Sequence, residues 1–134
     1  EIMPSLVGSE MCIRDRSMSI LKDAWDLLKD AGFNPFMPGQ HKGECIEPYV
    51  VVKLSGVLSL EVSSERPIYT FLVYVPENEY TKLETNVFAI KQELKKLYPR
   101  IMYAGNETES FYDEQIKAHM ISFQYYGIRK LENR

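Results

Sequence analysis

Three residues carry the side chains most often used in metal sites or nucleophilic catalysis: His41, Cys45 and His119. A structural zinc needs four ligands, usually in close pairs, whereas His41 and Cys45 form one loose pair with His119 far along the chain. A Cys–His nucleophile would also need a third group to orient the histidine. The spacing therefore favours a solvated His41, a half-buried His119 on a strand, and a Cys45 that acts as a small buried apolar residue.

A second group that could do chemistry is the acidic segment around Phe111 and Tyr112. Its carboxylates lack the Asp-x-Asp-x-Asp-Gly alternation of a calcium loop. The sequence favours a solvated loop with two aromatic anchors, which either fill the domain's own core or dock on a neighbouring protein. The acidic residues are Glu107, Glu109, Asp113 and Glu114.

Nucleotide and nucleic-acid chemistry is not indicated. The glycines between residues 39 and 56 have neither dinucleotide nor nucleoside-triphosphate spacing. Phe123, Tyr125 and Tyr126 could stack on bases, but no field of lysine and arginine surrounds them. The formal net charge of −3 also gives no attraction to duplex DNA or to an anionic membrane. We predict no catalytic residue, no metal and no cofactor.

The stretch LVGSEMCIRDR, residues 6–16, has no helical or strand period and lacks the features of a signal peptide. Its residues match an in-frame translation of a transposase-end sequencing adapter. We therefore interpret residues 1–17 as a non-native leader and residues 18–134 as one domain. Cys12 lies in that leader, so Cys45 has no intrachain disulfide partner and a reducing compartment is expected.

Two helices are predicted from apolar residues at helical spacing. The first begins at Ser19, which can cap it, and runs to Ala31, where Gly32 ends it. The second follows Pro76 and ends before Pro99, although a capping box of Thr81 and Glu84 would start it one turn later. Its apolar stripe comprises Tyr80, Leu83, Val87, Ile90, Leu94 and Leu97.

Four strands are predicted, at 49–54, 68–75, 101–104 and 118–128. The second is apolar on both alternating faces, so we expect it to be central and covered on both sides. The residues between the first two, Ser55–Pro67, are interpreted as a polar connector with at most a short extension at Val57–Val62.

The order α-β-β-α-β-β predicts an α+β fold: an antiparallel or mixed sheet of about four strands with both helices packed on one face. A split βαβ arrangement, with the second and third predicted strands parallel, is the alternative.

Several segments together carry a family resemblance that spans nearly everything after Met18. They resemble the tail terminator, or tail-completion, proteins of bacteriophage and prophage tail modules, particularly those of Gram-positive hosts. The family pattern has a proline where this chain has Ser110. The matching segments are His41-Lys-Gly43 with Cys45, Glu47–Lys53, Tyr74–Pro76 running into the helix through Leu97, Thr108–Asp113, and Lys117–Tyr125.

The resemblance implies a non-enzymatic subunit of a ring, commonly a hexamer, that caps the tail tube and joins it to the neck. The implied partners are other copies of the chain, the tail tube protein and neck or connector proteins, in the virion and in the host cytoplasm during assembly. We predict that the contacts are made by the polar connector, Ser55–Pro67, and by the acidic loop around Phe111 and Tyr112. The predicted interface residues are Ser59, Glu61, Ser63, Glu65, Phe111, Tyr112 and Asp113.

Two alternatives remain open on sequence grounds. A head–tail connector or a tail assembly chaperone of the same module would use the same surfaces with a different partner. A small metal-dependent or cysteine hydrolase would use His41, Cys45, His119 and Asp113.

Overall fold

The computed structural model of this protein describes residues 20–41, 43–61, 64–127 and 129–130. The predicted leader, the predicted cap Ser19 and the predicted interface residue Ser63 lie outside these residues.

Helix α1 occupies residues 20–30 and ends as the sequence predicts. Gly32 has φ of +97°, a conformation that glycine adopts without steric cost. Its N–H donates to the carbonyl of Lys29 at 3.1 Å, and the N–H of Phe33 donates to the carbonyl of Leu28 at 3.0 Å. This pair of hydrogen bonds is a Schellman motif, which satisfies carbonyls that a helix end would otherwise leave unpaired.

The described strands form one mixed sheet with the order β1-β2-β3-β6-β4. β5 adds to β6, and the two-residue β7 adds to β3. β1 runs parallel to β2, and the other pairings are antiparallel. The strands are β1 Pro35–Phe36, β2 Tyr49–Glu61, β3 Ser64–Pro76, β4 Ile101–Glu107, β5 Phe111–Asp113, β6 Ala118–Gly127 and β7 Arg129–Lys130.

The α+β class is confirmed, but the prediction of about four strands is wrong. The described part of the chain has the order α-β-β-β-α-β-β-β, with six strands before the short β7. The sequence did not predict β1, β5 or β7, which have two, three and two residues. Strands of that length show no alternation, so only their tertiary partners define them.

The polar connector predicted at Ser55–Pro67 is also wrong. β2 and β3 form one long antiparallel hairpin, in which Val57 pairs with Pro67 and Ser59 with Glu65. A bulge lies between Leu54 and Gly56, and β6 pairs with β3 only from Ile68 onwards. The far half of this hairpin therefore extends past β6. Among the described residues, the core shared with the helices includes β2 only as far as Leu54, so the far half is not required to show the alternation of a core strand.

The second helical region begins with a 3-10 turn, Glu77–Lys82, continues as α2, Leu83–Leu94, and ends with a 3-10 turn, Lys95–Leu97. No side chain caps α2, so the predicted capping box of Thr81 and Glu84 does not form. The predicted stripe is confirmed along α2, where Leu83, Val87, Ile90 and Leu94 are buried. Tyr80 lies on the 3-10 turn, whose different period leaves it exposed.

The connection from β3 through α2 to β4 gives the sheet its topology. β3 and β4 are both antiparallel to β6, which lies between them, so they run in the same direction. This is the split βαβ arrangement that the sequence left as an alternative. Both helices pack on one face of the sheet, where Leu28 of α1 and Ile90 of α2 share a core with Phe71.

The expectation that β3 is covered on both faces is correct for one face only. Phe71 and Val73 are fully buried beneath the helices, whereas Leu72 on the opposite face is half-buried. The segment between β1 and β2 covers one end of that second face, where Cys45 packs with Tyr49 and Ala118. None of the described helices is long and apolar enough to cross a bilayer.

Candidate interaction surfaces

The predicted interface residues fall in two separate places. Ser59, Glu61 and Glu65 lie on the far half of the β2–β3 hairpin, where Ser59 and Glu65 are register partners. Phe111, Tyr112 and Asp113 form β5, which pairs with β6. The structure therefore does not bring the two predicted groups into one site, and each must be considered as a surface of its own.

The β5 surface, defined by Tyr80, Phe111 and Tyr112, carries the two predicted aromatic anchors on opposite faces of the sheet. Tyr112 is the register partner of His119, on the helical face, and Phe111 is the register partner of Met120, on the other face. Phe111 is 57% exposed and Tyr112 is 39% exposed, so neither residue fills the core. The Tyr112 hydroxyl donates to Oε1 of Glu77 at 2.7 Å, which raises the pKa of that hydroxyl. The Tyr112 ring is thus held in place by Glu77, and both rings are exposed, so the expectation that they fill the domain's own core is wrong.

The His119 ring packs against the rings of Tyr80 and Tyr112. It lies 4.7 Å from the Tyr80 ring and 5.1 Å from the Tyr112 ring, measured between centroids. Its Nε2 lies 3.2 Å from the carbonyl oxygen of Glu77. Ser110, which stands where the resembled family has a proline, has its Oγ 3.2 Å from the Tyr80 hydroxyl. His119 is therefore half-buried on its strand, as predicted, and it orders the aromatic side chains around it.

A third surface, which the sequence did not predict, is an apolar groove of about 540 Å³ between α2 and the edge strand β4. Phe88 is 63% exposed and Tyr98 67% exposed at its rim, while buried Ile101 forms part of its floor. Aromatic residues with this exposure are the type enriched at protein interfaces. We call this the α2–β4 groove and define it by Phe88, Lys91, Lys95, Tyr98, Ile101 and Tyr103.

Lys91 supplies the fixed positive charge of the groove. Its Nζ lies 4.5 Å from the centroid of the Tyr103 ring, donates to the Tyr103 hydroxyl at 3.3 Å and pairs with the Glu107 carboxylate. Burial alone lowers the pKa of Lys91, but its hydrogen bonds to Glu107 and Tyr103 outweigh burial and raise that pKa. Lys91 is therefore held charged, and these contacts fix the Tyr103 ring beside it.

The sequence contains one signal that could have identified this groove. Phe88 follows Val87 in α2 and falls off the apolar stripe, so a helix lying on the sheet leaves it unburied. An aromatic residue off the stripe is a reason to predict an interface. Tyr98 and Tyr103 gave no comparable signal, because only the packing of α2 against β4 brings them together.

The residues that suggested metal or nucleophilic chemistry are distributed over both faces of the sheet. Cys45 packs with Ala118 on the face opposite the helices, whereas His119, the next residue along β6, points to the helical face. His41 is also not simply solvated, because its ring stacks on Tyr49 with 3.9 Å between centroids. Among the described residues, no three His, Cys, Asp or Glu side chains are placed to hold a metal ion.

Cys45 has the environment of an unreactive thiol. It is buried, and its Sγ lies 3.4 Å from the carbonyl oxygen of Glu47 as a donor. Burial, and to a lesser degree the charge of Glu79, raises the pKa of the thiol to about 11. At neutral pH the thiol is therefore protonated, whereas a nucleophilic cysteine needs the thiolate.

The acidic residues of the β4–β5 region act locally. Glu107, at the end of β4, forms an ion pair with Lys91 of α2. Asp113 accepts a hydrogen bond from the backbone N–H of Gln115 at 2.9 Å, which closes the turn after β5. The expectation of a solvated loop is therefore wrong in part, because Glu107 is the last residue of β4 and Phe111–Asp113 form β5.

Comparison with protein-family models gave no match for this chain. Comparison with curated proteins gave no match either.

Proposed function

We propose that this protein is a non-enzymatic structural component of a phage virion, a subunit of a ring that caps the tail tube and joins it to the neck. The family resemblance suggests this role, and the exposed aromatic surfaces support it. The observation that carries the proposal is that one small scaffold presents two such surfaces, the β5 surface and the α2–β4 groove, at different positions.

A closed ring needs this kind of subunit. In a head-to-tail ring, one patch of each subunit meets a different patch of the next, and further surfaces remain for other partners. Single domains that function alone rarely expose large contiguous apolar patches. Among the residues that the structure describes, the exposed large aromatic side chains are Tyr80, Phe88, Tyr98, Tyr103, Phe111 and Tyr112.

Assembly provides the direct test of the ring. Native mass spectrometry of the full chain, alone and with the tail tube protein, is expected to show a closed oligomer of defined size that binds tube ends. A chain that stays monomeric at all concentrations and ignores tube ends would remove the proposal.

A head–tail connector or a tail assembly chaperone would use similar surfaces, so the partner has to be identified in the assembled particle. Electron microscopy of tails produced without this protein separates the roles. Overlong tails indicate a terminator, normal tails that fail to join heads indicate a connector, and failure to form tails indicates a chaperone.

The hydrolase alternative has less support. Cys45 and His119 lie on opposite faces of the sheet, and burial keeps the thiol of Cys45 protonated. Metal analysis of the purified protein is the check. One equivalent of zinc that is lost in both Cys45→Ala and His119→Ala would favour the hydrolase over the ring subunit.

A further inference from the structure

The α2–β4 groove lies beside an open edge of the sheet. β4 is the last strand in the sheet order and pairs only with β6 among the described residues. An open strand edge presents unpaired N–H and C=O groups, and an adjoining apolar groove can accept side chains from the chain that pairs with it. This combination of surfaces fits an extended segment better than it fits a small ligand.

A second open edge lies at the other end of the same sheet. β1 pairs with β2 only at Val50 and Val51, so the outer edge of β2 beyond them has no strand partner in the described part of the chain. β2, β3, β6 and β4 are each antiparallel to the next. The outer edge of β2 from a second copy would therefore meet β4 as an antiparallel pair, and the alternation of strand direction would continue across the contact.

The composition of the hairpin matches that of the groove. The far half of the hairpin reads SGVLSLEVSSERP, with apolar residues at 57, 58, 60 and 62, acidic residues at 61 and 65 and one basic residue at 66, so it carries a net negative charge. Val57 is 45% exposed. On the groove side, exposed Lys95 has no ion-pair partner among the described residues and lies beside the exposed rings of Phe88 and Tyr98. An acidic, apolar strand and a basic, aromatic groove are complementary.

We infer that the α2–β4 groove receives the far half of the β2–β3 hairpin from a second copy of this chain, with strand pairing to β4 and acidic residues of the hairpin near Lys95. The inference rests on the proposed function, because it specifies the contact between neighbouring subunits of the ring. It assigns Phe88, Tyr98 and Lys95 to the subunit interface and leaves the β5 surface for a different partner.

Variants on the groove give the first test, with the full chain as starting protein. Phe88→Ala, Tyr98→Ala and Lys95→Glu are each expected to raise the concentration needed for half-maximal assembly at least tenfold by light scattering. Ile46→Ala and Lys29→Glu are the controls, because they remove an exposed apolar side chain and reverse an exposed charge away from the groove, the hairpin and the β5 surface. Groove variants that assemble like the controls would overturn the inference.

A charge exchange tests whether the hairpin is the occupant. Glu61→Lys with Glu65→Lys is expected to weaken assembly, and adding Lys95→Glu to the same chain is expected to recover most of it. Unfolding temperatures of all variants identify any that lose assembly through misfolding. Weakening without recovery would mean that the groove and the hairpin bind different partners, which would contradict the inference.

A cyclised peptide of Ser55–Pro67 separates this inference from the ring proposal. In fluorescence anisotropy, the labelled peptide is expected to bind the wild-type chain and to bind Lys95→Glu at least tenfold more weakly. If the wild-type chain forms rings but does not bind the peptide and tolerates the groove variants, the inference fails while the ring stands. If the chain forms open oligomers of no defined size and binds the peptide through Lys95, the ring fails while the groove–hairpin contact stands.

Discussion

The sequence alone did not decide whether the Cys45 thiol is reactive. Its surroundings in the folded protein show that it is not. Cys45 belongs to the segment between β1 and β2 and packs with Tyr49 and Ala118 on the face of the sheet away from the helices. The desolvation of this site disfavours the thiolate, so the folded protein holds the thiol proton more tightly than the unfolded chain does.

This difference predicts a loss of stability in alkaline solution. The thiol pKa rises from 9.0 to about 11 on folding, so between these values the unfolded chain binds fewer protons and the free energy of unfolding falls as pH rises. Relative to Cys45→Ala, the wild-type protein is expected to lose about 2 kcal/mol from about pH 8 to about pH 11 in urea unfolding. Val51→Ala, next to the same cluster, is the non-titrating control. A difference that stays constant with pH would contradict the prediction.

Replacing a buried phenylalanine and an exposed one by alanine is expected to change the free energy of unfolding by very different amounts. Phe71 is fully buried and stacks on Phe123 with 5.6 Å between ring centroids, so Phe71→Ala is expected to lower the free energy of unfolding by about 3–5 kcal/mol through cavity formation. Phe111 is mostly exposed, and Phe111→Ala is expected to change it by less than about 0.5 kcal/mol. Urea unfolding measures both, and similar losses would show that Phe111 is buried in solution.

At the scale of elements, β6 ends at a glycine because Pro67 leaves no room for a larger residue. A Cβ at Gly127 would lie 2.8 Å from Cγ of Pro67 and 3.1 Å from Cε2 of Tyr69. The proline ring cannot rotate away, so its position fixes how closely the end of β6 approaches β3.

Gly127→Ala is therefore expected to lower the free energy of unfolding by about 1–3 kcal/mol through overpacking. Pro67→Ala in the same chain removes the clashing ring atoms, and a double-mutant cycle is expected to show that much of the loss is recovered. Thermal and urea unfolding of the four proteins measure the coupling. If the effects of the two substitutions on the free energy of unfolding are additive, contact with Pro67 is not the reason that position 127 is a glycine.

At the scale of the whole molecule, the sequence predicts that the fold does not depend on residues 1–17. Deleting them is expected to change the unfolding temperature by less than about 2 °C, because a leader unrelated to the domain contributes no packing. Differential scanning calorimetry of both proteins is the measurement. A destabilisation as large as that of Phe71→Ala would show that the leader belongs to the fold.

A segment could be predicted from the sequence only where its apolar residues recurred at helical or strand spacing over enough residues. The stripe of α2 and the apolar run of β3 were long enough to indicate type and burial, and Gly32 marked the end of α1. β5 was missed because three residues cannot show a period, and the hairpin was missed because its far half lies beyond β6. The same limits applied to the candidate surfaces, where Phe111 was predicted and Phe88 was not.

Local sequence determined the helices, the central strands and the apolar set that forms the core, because period and capping chemistry act over neighbouring residues. Tertiary structure alone decided which strands lie at the edges, which face of β6 His119 occupies relative to Cys45, and that Phe88, Tyr98 and Tyr103 share one groove. These features depend on contacts between residues far apart in the chain. No local pattern encodes them, since many sheet orders satisfy the same alternation of apolar and polar residues.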